Sequence, residues 1–329
     1  MATILYMISA LYGGTCFSKD KFKVVYVYDF YEAGSGFNKS AADGIKKARS
    51  ELDIELIEIK DLSGVKRTKK IIEDTIAKGA DLLVSLGFRT NNIAAEVAKK
   101  HVGKTDLKFA VIDTVINLPN VASYVFKEHE GSFLAGYMAA KFSKSGKIGY
   151  IGGMPIPPLK RFEAGYLQGA KYANKNIDVM VTYLDPTTKN HTIWGNKNKA
   201  KKVARGLYSK GADIVYSVAG GGGMGIFNAA KEVKKYAIGV DVNENHKVPG
   251  HIITSMVKRV DTATFRAIKD AVEGKKMSGK TTVLGVVEEG VGLALDDYSQ
   301  QIVGKSFIDD VKEIHKKIAR KEIKVSDSN

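Results

Sequence analysis

A single cysteine, Cys16, and six prolines leave no framework for disulfide stapling in this 329-residue chain. No uninterrupted apolar run reaches the roughly 18–20 residues that a spanning helix needs, which excludes a polytopic membrane protein. Metal-binding patterns are missing as well. The histidines (His101, His129, His191, His246, His251, His315) are scattered, with no His-x-x-x-His pair and no Cys-His spacing. No Gly-x-Ser-x-Gly elbow presents a nucleophilic serine. The residues therefore offer little to catalysis and nothing that asks for a metal or a cofactor. Acidic residues are the scarcer sign, 36 against 51 basic, for a net charge of +15. Such an excess attracts polyanions non-specifically. The lysines, however, are spread over helical patterns (Lys46, Lys47, Lys69, Lys70, Lys99, Lys100), and no run interleaves them with aromatics as a single-strand binder does. A solvated basic surface is the expectation, and nucleic acid is not an expected partner.

What is present is ordinary globular composition, 44% hydrophobic and 26% charged. The length suits two lobes of roughly 100–200 residues, or one large α/β unit. Residues 4–12 are apolar and are followed by Gly13, Gly14, Thr15 and Cys16, after which Ser18, Lys19, Asp20 and Lys21 turn the chain polar. That order resembles the end of a bacterial lipoprotein signal, with Cys16 as the lipidated residue. It departs from one in lacking a Lys or Arg ahead of the apolar run and in placing Gly13 where leucine is usual. An atypical or truncated signal over 1–16 is the favoured reading; an N-terminal strand with a buried thiol is the other.

Beyond residue 20, β-rich apolar runs alternate with helical periodicity. Strands are expected at 22–29, 54–59, 81–87, 108–114, 147–153, 179–184, 213–219 and 236–242, with helices between them. This is the pattern of parallel sheets covered by helices. The chain also repeats itself. Lys78-Gly79-Ala80-Asp81 opens the strand ending Val84-Ser85, and Lys210-Gly211-Ala212-Asp213 opens the strand ending Tyr216-Ser217. Each is followed by a glycine-bearing loop, a helix and a strand that ends on an aspartate, Asp113 or Asp241. Two versions of one unit, about 130 residues apart, place two sets of strand C-termini at one cleft. Asp113 and Asp241 are expected to converge there. Two aspartates suit a ligand's hydroxyls and ring nitrogens as well as they suit acid–base work.

Gly220 to Gly225 reads Gly-Gly-Gly-Gly-Met-Gly after a strand and before a helix, and Asp241 follows Gly220 by 21 residues. That satisfies the dinucleotide fingerprint. A nucleotide domain has no need of a duplicate lobe, however, and the counterpart loop reads Leu86-Gly87-Phe88-Arg89-Thr90. The same glycines let a flat ligand approach the backbone.

Several stretches resemble the basic membrane protein family, the purine-nucleoside-binding lipoproteins of nucleoside ABC transporters. They are Gly36-Phe37-Asn38-Lys39-Ser40-Ala41, Glu130-Gly131-Ser132-Phe133-Leu134-Ala135-Gly136-Tyr137 and Ser145-Gly146-Lys147-Ile148-Gly149-Tyr150-Ile151-Gly152-Gly153. Gly169-Ala170-Lys171-Tyr172-Ala173-Asn174, Ile238-Gly239-Val240-Asp241 and Ile253-Thr254-Ser255-Met256-Val257-Lys258 continue the match. The resemblance implies that Asp29 and Asp113 hydrogen-bond a purine ring and that Phe37, with Asn38 beside it, stacks on the base. It further implies that Asp241 and Lys258 hold the ribose hydroxyls and that the Gly220 backbone lies near the ligand. The family's second stacking aromatic falls in the strand before the glycine loop. Tyr216 supplies an aromatic there, alternation puts Ser217 on the opposite face, and Trp194 is the substitute from a loop.

The expected fold is thus α/β, a two-lobed periplasmic-binding-protein fold of type I with parallel sheets flanked by helices and the ligand cleft between lobes. The first lobe would take 22–125 plus 256–290 and the second 126–255 plus 291–324. A helix over 258–274 would return to the first lobe, and a Phe307, Ile308, Val311, Ile314, Ile318 stripe would pack a last helix on the second. The function expected from the resemblance is a non-enzymatic, monomeric, lipid-anchored extracytoplasmic receptor that delivers a purine nucleoside to an ABC permease. A dinucleotide-binding enzyme and an exported basic adhesin are the alternatives.

Overall fold

The computed structural model describes residues 21–29, 35–60, 64–188, 191–277 and 279–328; Cys16 and the apolar run before it lie outside them. The first half runs β1 (Phe22–Val27), α1 (Gly36–Glu51), β2 (Ile54–Ile59), α2 (Val65–Ile76), β3 (Leu82–Leu86), α3 (Phe88–Lys100), β4 (Lys108–Ile112) and β5 (Val121–Phe126). The second half repeats the order after a helix α4 (Glu128–Phe142). It runs β6 (Lys147–Gly152), α5 (Pro157–Ala173), β7 (Asp178–Tyr183), α6 (Lys197–Ser209), β8 (Ile214–Val218), α7 (Gly223–Glu232), β9 (Tyr236–Asp241) and β10 (Ile252–Lys258). The chain then adds α8 (Val260–Val272), β11 (Thr281–Leu284), β12 (Val291–Leu293), α9 (Asp297–Val303) and α10 (Lys305–Ala319).

The strands form two six-stranded sheets, β2-β1-β3-β4-β5-β11 and β7-β6-β8-β9-β10-β12. The same order in each is the physical form of the repeat legible in the sequence. All neighbours in the first sheet are parallel, and in the second only β12 runs antiparallel to β10. Parallel strands covered on both faces read as continuous apolar runs. Leu82-Leu83-Val84-Ser85-Leu86 and Ile214-Val215-Tyr216-Ser217-Val218 are both buried at every position.

Three crossings join the lobes. β5 passes to α4, β10 to α8 and β11 to β12, and hydrogen bonds tie them together: Lys127 N–H donates to Leu284 O (3.0 Å) and Arg259 N–H to Gly290 O (2.9 Å). Two expected boundaries shift by a few residues. Residue 126 belongs to β5 of the first sheet, where Phe126 pairs with Leu284. Residues 256–258 belong to the second sheet, because Met256 to Lys258 pair with Leu293 to Val291 on β12. α8 does return to the first sheet, packing on α1, β3 and β4. α10 buries Ile308, Val311, Ile314 and Ile318 and lies against α4 and α9.

Candidate ligand-binding cleft

In doubly wound sheets, the chain turns to opposite sides of the sheet after the two central strands, which opens a crevice at their C-terminal ends. Here the crevices after β1 and β3 face those after β6 and β8, and between them lies a cleft with about 940 Å³ of empty space, its mouth included.

The two walls differ in chemistry. The first lobe contributes polar groups: Asp29 at the end of β1, Asn38 on the first turn of α1, Arg89 on α3 and Asp113 after β4, with Phe37 among them. Gly87, at φ +84°, brings the loop before α3 so close to β1 that the Asp29 carboxylate occupies the place of a Cβ. The second lobe contributes mainly apolar surface: Met154, Ile156, Leu159 and Phe162 from the turn into α5, Val218 at the end of β8, and Val240. Trp194 lies in a 3₁₀ turn (His191–Gly195) between β7 and α6, resting on the Gly153 backbone, and also lines the cleft, as does Gly220.

Asp113 and Asp241, the matching strand-end aspartates, both face this cleft, and both hold left-handed backbone conformations, φ 81° and 68°. Aspartate tolerates that region better than most residues, and non-glycine residues there concentrate at functional sites. Lys258 is 2% exposed at the last position of β10. Its Nζ donates to Asp113 Oδ1 and to Glu128 Oε1 (3.0 Å). Glu128 is fully buried at the start of α4 and also accepts from Arg161 Nε (2.7 Å) and Nη2 (3.3 Å). The rings of Phe126, Phe37 and Phe162 surround the ammonium at 5.0, 5.5 and 5.6 Å, a cation–π arrangement that compensates part of its lost hydration.

Three carboxylates (Asp113, Glu128, Asp241) thus face two cations (Lys258, Arg161). Burial works against the Lys258 charge, but Asp113, Glu128 and Asp241 outweigh it and hold the ammonium above its ordinary range. Burial likewise opposes ionised Glu128, but Lys258 and Arg161 keep its carboxyl below the usual range. Burial also raises the Asp113 carboxyl against the pull of Lys258, and Asp241 is raised with it. Burial, reinforced by Glu244, Asp113 and Glu128 and opposed by Lys258, pushes Asp241 up to about 7. No ion pair joins Asp241 to Lys258 among the described residues, so the two reach the cleft independently.

Of the residues singled out from the sequence, Asp29, Phe37, Asn38, Asp113, Trp194, Gly220, Asp241 and Lys258 line one cleft. Tyr216 and Ser217 do not. Tyr216 is fully buried, its ring 5.8 Å from that of Tyr150 and 5.1 Å from that of Tyr166, its hydroxyl 3.3 Å from Ser132 Oγ. Ser217 points the other way, under Gly223 at the start of α7. The strand's cleft-facing residue is Val218, two positions beyond Tyr216 on the same face. Sequence reasoning also missed the wall from Met154 to Phe162. The signal was available, since this stretch follows β6 just as the Phe37 segment follows β1. Of the glycine run, only Gly220 lines the cleft; Gly225 is spent on packing, because a Cβ there would strike the Lys197 carbonyl of α6.

Comparison with known proteins agrees with this architecture. The chain is 34% identical over 308 residues to basic membrane protein D of Borreliella burgdorferi, covering 89% of this chain and 86% of that one. It is 32% identical over 314 residues to basic membrane protein A of the same species, with 87% of each covered. Among solved structures, an ABC transporter solute-binding protein of Aeropyrum pernix superposes with a TM-score of 0.78 at 29% identity, with 92% of each chain covered. One from Conexibacter woesei superposes at 0.73 and 20% identity, over 93% of this chain and 98% of that one. The family model for PnrA-like ABC transporter substrate-binding proteins matches residues 21–329. The chain belongs to the basic membrane protein (Bmp) family of ABC transporter substrate-binding proteins and has its two-lobed periplasmic-binding-protein fold.

Proposed function

We propose that the cleft binds a purine nucleoside, which the protein delivers, without chemical change, to an ABC permease outside the cytoplasm. The observation that carries this reading is the division of the walls. A flat heterocycle needs apolar and aromatic faces above and below it and hydrogen-bonding groups around its edge. Phe37 from the first lobe and Phe162 and Trp194 from the second line the same cleft as Asp29, Asn38 and Asp113. Trp194 is the second-lobe ring in this reading, in place of the aromatic sought on β8. Asp241 and Lys258 can meet vicinal hydroxyls, one as acceptor and one as donor. The ammonium's existing bonds to Asp113 and Glu128 hold it in place for that contact.

The dinucleotide alternative has less support, because Gly220 alone of the run lines the cleft and Gly225 is needed for packing against α6. Anchoring through a lipid on Cys16 remains part of the proposal, and labelling with a fatty acid in the native host tests it. The binding claim is tested by titration calorimetry with adenosine, guanosine, inosine, uridine and NAD. Heat with the purine nucleosides alone supports the reading, and binding of NAD in preference to all of them overturns it.

A further inference from the structure

α1 starts on Gly36, and Gly36 is where the first lobe touches the second. Its φ is not positive, so the local backbone does not require glycine, and alanine is the better helix former. The requirement comes from across the cleft. A Cβ added to Gly36 would stand 3.0 Å from Val242 Cγ2, 3.3 Å from Asp241 Cβ and 3.3 Å from the Val240 carbonyl oxygen. Those three neighbours sit at the end of β9, and α1 also meets the turn Gly220–Gly222. One of these three atoms is backbone and the other two belong to the side chains of Val242 and Asp241, each closer than an ordinary van der Waals contact by a few tenths of an ångström. The next two residues, Phe37 and Asn38, line the cleft, as does Asp241 opposite.

We propose that Gly36 sets how far the lobes can close and is therefore a positioning residue for ligand binding. Without a Cβ at Gly36, the strand end carrying Asp241 reaches the ligand held by the first lobe; with one, the lobes are propped apart. The inference rests on the nucleoside reading only for the choice of ligand. Gly206 is the matched control, an exposed glycine inside α6 whose Cβ would meet nothing within 4 Å.

The test compares the native chain with Gly36→Ala, Gly36→Val and Gly206→Ala. Binding of guanosine and adenosine is measured by calorimetry. Closure is measured as the distance between spin labels at Lys46→Cys and Lys202→Cys, one on each lobe, in a Cys16→Ser background. Gly36→Val should weaken binding roughly tenfold to hundredfold, the range of an overpacked contact, and should stay open when ligand is added. Gly36→Ala should bind more weakly while its ligand-free melting temperature is unchanged or higher, and Gly206→Ala should bind as the native chain does. A merely structural glycine would not lower affinity while leaving the free protein as stable. A second arm needs no ligand: Gly36→Cys with Val242→Cys should cross-link under mild oxidation, since the closed lobes bring the positions within disulfide reach. Native affinity in Gly36→Val, or no cross-link, would overturn the proposal. If nucleosides leave the native chain unaffected, the ligand assignment fails and the cross-link alone decides the closure contact.

Discussion

Asp241 makes ligand binding sensitive to pH in a direction that can be worked out beforehand. Its carboxyl is pushed up to about 7, first by burial and then by Glu244, Asp113 and Glu128. A ribose hydroxyl that donates to Asp241 favours the ionised form, so binding releases a proton and affinity rises with pH. With a midpoint near 7, roughly one-eleventh of the free protein is ionised at pH 6 and roughly ten-elevenths at pH 8, an increase in apparent affinity of about tenfold. The slope should flatten above pH 8. His129 and His315 are both pulled below their ordinary range by burial, so their titration falls at lower pH. Stability has the opposite sign. A raised carboxyl binds more protons in the folded than in the unfolded chain between about pH 4 and pH 7, so ligand-free stability falls across that window. Asp241→Asn should abolish the rise in affinity and lessen the fall in stability, part of which remains because burial also raises the Asp113 and Glu244 carboxyls. It should also remove most of the preference for ribo- over 2′-deoxyribonucleosides, which in the native chain should be at least roughly tenfold because a missing hydroxyl leaves a buried partner unpaired. Calorimetry of guanosine and 2′-deoxyguanosine at pH 6, 7 and 8 is the assay. An affinity that is flat or falls with pH, or a slope that survives in Asp241→Asn, would refute the reasoning.

Phe37→Ala should weaken nucleoside binding by about 1–3 kcal/mol, the worth of one aromatic face on a base, with circular dichroism unchanged. Trp194→Ala should lose a similar amount by calorimetry if the second-lobe ring is the one that faces the base, and equal affinity would move that role to Phe162. Glu128→Ala should destabilise the protein by about 3–5 kcal/mol in urea unfolding, because Lys258 and Arg161 lose a shared buried carboxylate. A loss under 1 kcal/mol would mean that the network is not maintained in solution.

The repeat and the parallel, helix-covered sheets were legible because strands buried on both faces leave continuous apolar runs and because Lys-Gly-Ala-Asp marks the same turn in both halves. The convergence of Asp113 and Asp241 followed from that repeat. Side-chain direction was not legible in the same way. Choosing between Tyr216 and Ser217 requires knowing that β8 ends on Val218, and a difference of one or two residues decides which side chain reaches the cleft. The ion network was hidden for another reason: Lys258 lies 145 residues from Asp113 and 130 from Glu128, and only the meeting of the lobe crossings brings them together. Glu128 stands in the first turn of α4, a position that the helix dipole favours for an acid in any case, so nothing in its local sequence marks it.

The central claim, that the cleft holds a purine nucleoside, is tested most directly by mass spectrometry of the ligand released from protein purified without added nucleoside. An enclosed site of this kind can retain a tightly bound ligand through purification. The expected result is adenosine, guanosine or inosine in the released fraction, with tight rebinding of the same compound to the emptied protein. Release and rebinding of a sugar, an amino acid or a dinucleotide in place of a nucleoside would contradict the account.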